Sequence, residues 1–226
     1  MTISQTIAVI GGTGKLGAAL ARRLARAGAA VTIGSRDPDR ARAAAAELGP
    51  DVKAADYAEA AAAAELVIVA VPFAAQEGAL AEIAPYVAGK IVIDTTVPLN
   101  PPRVMRVCLP EEGSAAVRAS RLLGEGVTVI SGFHNVAAHK LATDEDVGCD
   151  VLIFGDDKAA RERVVALADA IGLRGIHGGA LVNSAAAEAL TSVLIFLNKT
   201  YKVDGAGIRI TGTLIDPATQ EVLSTG

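Results

Sequence analysis

The chain has 226 residues, of which 51% are hydrophobic and 3% aromatic, and its formal net charge is −4. This length suits one α/β domain with a small addition and excludes two large domains. The mild acidity argues against nucleic acid or a membrane surface as a partner, and the apolar runs are too short for a membrane span. The two cysteines are far apart, so we expect a soluble protein of the reducing cytoplasm.

The first predicted elements are a strand, a glycine-rich turn and a helix. Residues 6–10 form a short apolar run typical of a buried strand, and a helix rich in alanine and leucine is predicted from Gly14 to about Ala27. The turn carries Gly-x-Gly-x-x-Gly, which indicates a dinucleotide site when it follows a strand and opens a helix. We expect Gly12 to allow a tight turn, Gly14 to let the backbone approach a pyrophosphate, and Gly17 to let the helix pack on the strand.

The second predicted strand, residues 30–33, leads to the position at which such sites read the ribose. NAD sites place Asp or Glu there to accept from the 2′-hydroxyl, whereas this chain has Gly34 followed by Ser35 and Arg36. A carboxylate would repel a 2′-phosphate, while a hydroxyl and a guanidinium bind it. Arg40 lies four residues beyond Arg36, so a helix would place the two side by side. This pattern predicts NADP; the alternative is a solvated basic helix start.

Strand and helix continue to alternate through the first half of the chain. Helices are predicted at 37–48, 56–64 and 76–87, and strands at 52–55, 66–71 and 90–94. This rhythm predicts a Rossmann-type doubly wound, mostly parallel sheet. Ligands bind beyond the carboxyl ends of the strands in such sheets, so Val71, Pro72 and Phe73 should border the cofactor. Residues 95–98 should arrive at the same edge.

The second half of the chain contains the longest predicted helix. Helices are predicted at 114–123, 156–171 and 180–202, strands at 127–130, 150–154 and 173–177, and a proline-rich loop at 99–112. We expect an NADP-binding Rossmann domain at 1–178 and a small C-terminal helical segment with a tail at 179–226. The long helix is apolar on all faces at 193–197, which predicts a homodimer in which another subunit covers it. Residues 213–226 form a tail or a dimer contact, with a turn at 216–219.

One histidine is placed where catalytic residues gather in such sheets. His134 lies in residues 131–138, the histidine loop, directly after a predicted strand. The alternative for His134 is a structural role in holding this loop. The nearby His139, Asp144 and Asp146 do not have the spacing of a common metal site, so no metal is expected.

Seven short motifs, taken in their order along the chain, resemble those of the NADPH-dependent reductases of the deazaflavin coenzyme F420, the coenzyme F420:NADP oxidoreductases. They are Gly-Gly-Thr-Gly-x-Leu-Gly at 11–17, Gly-Ser-Arg at 34–36, Val-Pro at 71–72, Thr-Val-Pro at 96–98, Phe-His-Asn-Val-Ala-Ala at 133–138, Asn-Ser at 183–184 and Ala-Gly-Ile-Arg-Ile-Thr-Gly at 206–212. The resemblance covers nearly the whole chain through residue 212. Many NADP enzymes share its first half, so the histidine loop and the C-terminal motif are the specific part.

The resemblance implies a Rossmann domain with a small C-terminal helical part. It also implies hydride transfer between a carbon of the deazaflavin ring and C4 of nicotinamide. By this resemblance the pyrophosphate is lined by Thr13, Gly14, Lys15 and Leu16, and the 2′-phosphate is held by Ser35, Arg36 and Arg40. The nicotinamide side is flanked by Val71 and Val97. The deazaflavin, or the place where the two rings meet, is bordered by His134, Val136 and Ala138. The cofactors carry the electrons, so no obligatory general acid is expected from the protein.

The chain departs from the resemblance at one position. Many family members have arginine directly after the Asn-Ser pair, where this chain has Ala185. Two alternatives therefore stay open beside deazaflavin reduction. One is an NADPH-dependent reductase of a flavin, a quinone or an imine on the same scaffold. The other is a non-catalytic module that senses NADP.

Overall fold

The computed structural model describes residues 3–216 and 219–222. Its strands are β1 (Thr6–Ile10), β2 (Ala30–Gly34), β3 (Lys53–Ala55), β4 (Leu66–Val69), β5 (Ile91–Asp94), β6 (Thr128–Ser131), β7 (Asp150–Phe154) and β8 (Arg174–Gly179). Within the described residues they form one sheet in the order β3-β2-β1-β4-β5-β6-β7-β8. Neighbouring strands are parallel except β6 and β7, which pair antiparallel at Ser131 and Phe154. The predicted Rossmann-type, mostly parallel sheet is therefore confirmed.

Helices cover both faces of this sheet. They are α1 (Lys15–Arg26), α2 (Pro38–Leu48), α3 (Tyr57–Ala63), α4 (Phe73–Ile83), α5 (Ala115–Leu123), α6 (Ala138–Leu141), α7 (Lys158–Ala170) and α8 (Ser184–Tyr201). Successive strand residues point to opposite faces, so β1 contributes to two cores. Ile7 and Val9 belong to the core that contains α1 and α7, whereas Ala8 and Ile10 belong to the core that contains α4.

Side chains fix the beginnings of four helices. Asp37 accepts hydrogen bonds from the second and third amides of α2, and Asp56 accepts one at the start of α3. Ser114 and Asp157 do the same for α5 and α7. Each such cap contributes about 1 kcal/mol of helix stability. The first helix differs, since Gly14 precedes it and provides no side chain to cap its amides.

Several elements differ from those predicted; for example, β4 ends at Val69 and not at 71, and α8 begins at Ser184 and not at 180. The helix α4 begins at Phe73, before the predicted residue 76, because Pro72 occupies the position before the first helical turn. The short helix α6 lies where only a loop was expected, since four residues carry too little periodicity to be recognised. The strand β8 runs through Gly179, so the two glycines predicted to lead into the last helix belong to the sheet. Residues 217 and 218 of the predicted turn lie outside the described residues, as do 223–226 of the tail.

Candidate active site

Five parallel strands deliver the predicted site segments to one edge of the sheet. The strands β2, β1, β4, β5 and β6 are neighbours in that order, and their carboxyl ends lead into residues 34–36, 11–17, 70–73, 95–98 and 131–138. The chain order reverses between β1 and β4, because β2 and β3 lie on one side of β1 and the later strands on the other. Ligands of open α/β sheets bind in the crevice at such a reversal.

The glycine turn is shaped by close backbone contacts. Gly11 has a φ of +80°, and a Cβ there would lie 2.6 Å from the carbonyl oxygen of Ala70. The left-handed residue of this turn is therefore Gly11. Gly12 is required by space, because its Cβ would lie 2.9 Å from the carbonyl oxygen of Val9. At Gly17 a Cβ would lie 2.5 Å from the carbonyl oxygen of Gly11, so only glycine allows this close helix–strand packing.

The start of α1 is open for an anion. The Gly14 amide donates to the Gly11 carbonyl at 2.9 Å, and the first amides of the helix, at Lys15 and Leu16, have no intrahelical acceptor. No acidic residue stands in this first turn. Thr13 and Leu16 are half-buried beside it and Lys15 is exposed. Uncapped amides at the positive end of a helix dipole, without a carboxylate nearby, fit a phosphate group.

The residue at the end of β2, where an NAD site carries its carboxylate, is glycine. A Cβ at Gly34 would lie 2.9 Å from Cδ1 of Ile10. The next residue, Ser35, is buried, and its Oγ accepts from the amide of Asp37 at 3.2 Å, which leaves the hydroxyl hydrogen available to a ligand. Arg36 is exposed at the same place.

Two exposed arginines lie at this place. Arg36 and Arg40 are exposed, and neither forms an ion pair with a residue that the structure describes. Arg42 in the same helix is instead held by Asp39 at 2.5 Å. Guanidinium groups without a carboxylate partner suit a 2′-phosphate.

The ends of β4 and β5 form the next part of the edge. Val71 is buried and Pro72 exposed, while Val97 is half-buried. Thr95 ties the two strands together, since its hydroxyl donates to the carbonyl oxygen of Val69 at 3.0 Å. This edge is apolar at Val71 and Val97, which suits a flat ring more than a charged group.

Asp94, at the end of β5, is fully buried. Its Oδ1 accepts from the amide of Thr96 at 3.0 Å, and its Oδ2 accepts from Nε2 of Gln76 at 2.6 Å. Burial raises the pKa of the Asp94 carboxyl, and these hydrogen bonds oppose the shift.

The histidine loop places His134 inside the protein. Phe133, which precedes it, is buried with a φ of +64°. The His134 ring forms a hydrogen bond of 3.0 Å between its Nε2 and Oγ of Ser131, while its buried Nδ1 has no partner among the described residues. Burial lowers the pKa of His134 from 6.5 to about 4, so the imidazole is neutral at pH 7. Val136 and Ala138, further along, are half-buried.

A set of polar residues on α8 went unnoticed in the sequence. Glu188, buried to 1% exposure, accepts hydrogen bonds from the amides of Ala115 and Ala116. Burial raises the pKa of Glu188 from 4.5 to about 7; these two amides oppose the shift and the charge of Asp94 adds to it. The recurrence of polar residues at helical spacing, Ser184, Glu188, Thr191 and Ser192, is the signal that marks this face.

A sizeable cavity lies away from this edge. It has a volume of about 680 Å³ and lies beside β8, with lining residues from 146–150, 165–177 and 209–216. None of the residues predicted for the site lines it. Among the residues that the structure describes, no group of three or more His, Cys, Asp or Glu side chains is arranged to hold a metal ion.

These features define a class of protein. A glycine turn at the strand-order reversal of a parallel sheet, an uncapped helix start and an arginine pair after β2 are those of a Rossmann-type NADP-binding oxidoreductase. The family model of the coenzyme F420-dependent NADP oxidoreductases matches residues 6–98.

Individual relatives match over nearly the whole chain. The F420-dependent NADP reductase of Methanothermobacter thermautotrophicus is 43% identical over 91% of this chain and 94% of its own, and that of Methanocaldococcus jannaschii is 36% identical over 91% and 97%. A candidate F420-dependent NADP reductase of Arthrobacter sp. FB24, solved by crystallography, has a TM-score of 0.83 at 28% identity over 92% of this chain and 100% of its own. The chain belongs to the coenzyme F420-dependent NADP oxidoreductase family, and the resemblance found in the sequence is confirmed.

Proposed function

We propose that this protein transfers a hydride between NADP(H) and the deazaflavin coenzyme F420. The observation that carries the proposal is the 36–43% identity to F420-dependent NADP reductases across 91% of the chain. The strand ends support it, since glycine stands at position 34, where an NAD site carries a ribose-binding carboxylate, and Arg36 forms no ion pair with the described residues. NADP and coenzyme F420 are then the two redox partners.

We assign the site residues by their place along the sheet edge. The pyrophosphate lies at Gly12, Thr13, Gly14, Lys15, Leu16 and Gly17; the 2′-phosphate at Ser35, Arg36 and Arg40; the nicotinamide at Val71, Pro72 and Val97; and the deazaflavin at His134, Val136 and Ala138. The uncapped start of α1, the arginine pair, the apolar ends of β4 and β5 and the histidine loop support these assignments in that order.

The two cofactors supply the hydride chemistry, so the protein has to bind the two rings, orient them and exclude water from them. The apolar side chains at the ends of β4 and β5 exclude water from the reacting faces. The neutral His134 imidazole offers one hydrogen-bonding nitrogen, Nδ1, without introducing a charge. We infer that His134 orients the deazaflavin by this hydrogen bond.

The function is tested by the visible absorbance of the deazaflavin. We expect NADPH-dependent bleaching and NADP-dependent recovery of this absorbance, with NADH and NAD inactive as controls. Turnover would also demonstrate that Ala185 is tolerated in place of arginine. Tight NADPH binding without deazaflavin turnover would contradict the proposal. It would direct the search to a flavin, quinone or imine acceptor, and a lack of turnover with all of these would favour a sensor of NADP.

The variant His134→Ala tests the second half of the site. We expect kcat/KM for the deazaflavin to fall about tenfold, the value of one lost hydrogen bond, while the Kd for NADPH stays within about twofold. Stopped-flow absorbance and NADPH fluorescence titration measure the two quantities. His177→Gln, which changes a half-buried histidine on β8, is the control and should resemble the parent. A loss of stability with unchanged kinetics would make His134 a structural residue.

We further propose a homodimer that forms through α8. The outward face of this helix exposes Val193, Phe196 and Tyr201 at 43%, 49% and 70%, and a second copy would remove this apolar surface from water. Light scattering should give twice the chain mass of 22.9 kDa, and Phe196→Glu should yield the monomer. A monomeric parent protein at micromolar concentration would contradict this arrangement.

We also propose that the protein is cytoplasmic, has no nucleic acid or membrane partner, and divides into residues 1–178 and 179–226. Among the described residues one helix, Leu181–Tyr201, is long and apolar enough to cross a membrane by length and composition. Its inward side carries the buried carboxylate of Glu188, which bonds to α5, so we assign it to the protein core and the dimer contact. Recovery of the protein in the membrane fraction of cells would contradict this assignment.

A further inference from the structure

A row of polar side chains connects α8 to the two segments that follow β5 and β6. Ser184, Glu188 and Ser192 are each at most 3% exposed and lie one helical turn apart. Glu188 contacts the start of α5, where its Oε2 accepts from the amide of Ala115 at 2.6 Å and its Oε1 from the amide of Ala116 at 3.1 Å. A carboxylate from a helix 73 residues away thus holds the first turn of α5.

Ser184 and Ser192 strengthen the same connection. The hydroxyl of Ser184 donates to Oγ of Ser114 at 2.9 Å, and Ser114 caps α5. The hydroxyl of Ser192 donates to the carbonyl oxygen of Arg106 at 3.3 Å. Arg106 and Ser114 both lie in residues 95–114, the β5–α5 segment. This segment is therefore attached to α8 at several points.

Thr191, which directly precedes Ser192 on α8, holds the histidine loop. The Thr191 hydroxyl donates to the carbonyl oxygen of His134 at 3.0 Å. Asn135 donates from its Nδ2 to the carbonyl oxygen of Ala187 at 2.9 Å and to Oγ1 of Thr191 at 3.1 Å. One helix thus fixes both the β5–α5 segment and the histidine loop.

The connection continues to the end of β5. Gln76 donates from Nε2 to Oδ2 of Asp94 at 2.6 Å and to the carbonyl oxygen of Ala115 at 3.0 Å. Asp94 in turn accepts from the amide of Thr96, the residue before Val97. A chain of hydrogen bonds therefore runs from Glu188 on α8, through the backbone of Ala115, to the amide of Thr96. Thr96 directly precedes Val97, which we place beside the nicotinamide.

A carboxylate is a costly choice for such a buried position. Moving an ionised group out of water costs several kcal/mol unless hydrogen bonds compensate for it. Glu188 has no cationic partner among the described residues, and Asp94 is a second buried carboxyl in the same region. An apolar residue would pack α8 against α5 at lower cost. The arrangement suits a residue that must define the geometry of α5 and of the segment before it.

We propose that Glu188 is a positioning residue for hydride transfer. It touches neither ligand. Through the amides of Ala115 and Ala116 and the Gln76–Asp94 pair, it fixes the β5–α5 segment relative to the histidine loop, and so sets the separation of the two rings. This inference rests on the proposed function, because it requires two rings to be aligned.

The variant Glu188→Gln tests the proposal. Glutamine keeps the shape of the side chain but replaces one carboxylate oxygen by an NH2 group. This group cannot accept the hydrogen bond from the amide of Ala115 or of Ala116. We expect kcat for hydride transfer to fall about 10- to 100-fold, the effect of a small misplacement of reacting groups, with the Kd for NADPH unchanged. Thr191→Val, which keeps its shape and loses the bond to the histidine loop, should lower kcat in the same way. Glu82→Gln, an exposed position on α4, is the control.

Hydrogen exchange provides a measurement that does not need turnover. In Glu188→Gln the amides of residues 95–116 and 131–138 should exchange at least about tenfold faster together, while those of residues 30–60 keep their rates. Unchanged exchange in the histidine loop overturns the positioning role, even if the parent protein does not reduce the deazaflavin. Turnover by the parent with an unchanged kcat in the variant also overturns it, and leaves the proposed function intact.

Discussion

The variant Arg36→Ala is expected to bind NADPH about 10- to 100-fold more weakly and NADH almost as well as the parent does. The Arg36 guanidinium is exposed and unpaired within the described residues, so its charge is available to a 2′-phosphate. A hydrogen bond between charged groups contributes about 1.5–3 kcal/mol, and each 1.4 kcal/mol corresponds to a factor of ten. NADH lacks the 2′-phosphate and should lose nothing. Fluorescence titration with both nucleotides measures the effect.

Two further arginines make this experiment specific. Arg40 is also exposed and unpaired in the described part of the chain, so Arg40→Ala should lose affinity for NADPH in the same direction. Arg42 lies in the same helix but pairs with Asp39, and Arg42→Ala should leave both affinities within about twofold. Equal losses for NADPH and NADH in Arg36→Ala would contradict the assignment of the 2′-phosphate site.

The sequence predicts the parts of the fold that depend on local periodicity. The strands that begin at residues 6, 66 and 150 are visible as short apolar runs, and many of the helices as alanine-rich stretches. A sheet that is buried on both faces requires apolar strands and helices that cover each face. The row of site segments follows directly, since carboxyl ends of parallel strands share one edge. Strand direction is different: nothing local in residues 150–154 indicates that β7 runs antiparallel to β6.

The parts that could not be predicted depend on contacts between distant residues. Glu188 and Ala115 are 73 positions apart, and no local pattern indicates that a carboxylate on one helix holds the first turn of another. The positive φ of Gly11 is also not visible in the sequence, since the spacing of the motif does not specify which glycine is left-handed. The burial of His134 likewise follows from the packing of α8 across the histidine loop.

Burial of His134 and Glu188 predicts two opposite dependences of stability on pH. The pKa of His134 falls from 6.5 unfolded to about 4 folded, so its contribution to the free energy of unfolding is present above pH 6.5 and is lost as the pH falls to 4. The pKa of Glu188 rises from 4.5 to about 7, so its contribution is present below pH 4.5 and is lost as the pH rises to 7. Each shift corresponds to about 3 kcal/mol, and the two oppose each other between pH 4.5 and 6.5.

When one of the two groups is removed, the pH dependence of stability that the other causes should become visible. In Glu188→Gln the free energy of unfolding should fall by up to about 3 kcal/mol, relative to the parent, as the pH is lowered from 6.5 to 4.5. In His134→Gln it should fall by a similar amount as the pH is raised over the same range. The pKa of Asp94, whose charge acts on Glu188, is also raised, so Asp94 adds to the fall of the unfolding free energy of His134→Gln as the pH is raised. Urea denaturation at pH 4.5, 5.5 and 6.5, at one protein concentration, measures these slopes.

Exposed residues separate this effect from general changes in charge. The variant Glu82→Gln removes an exposed carboxylate from α4, and its pH dependence should run parallel to that of the parent. If Glu188→Gln and His134→Gln also run parallel to the parent, both groups titrate alike in the folded and unfolded states. The pKa shifts assigned to them would then be wrong. Opposite slopes would instead establish that the protein holds a neutral imidazole in the histidine loop and a proton-binding carboxylate on α8, because burial lowers the pKa of an imidazole and raises that of a carboxyl.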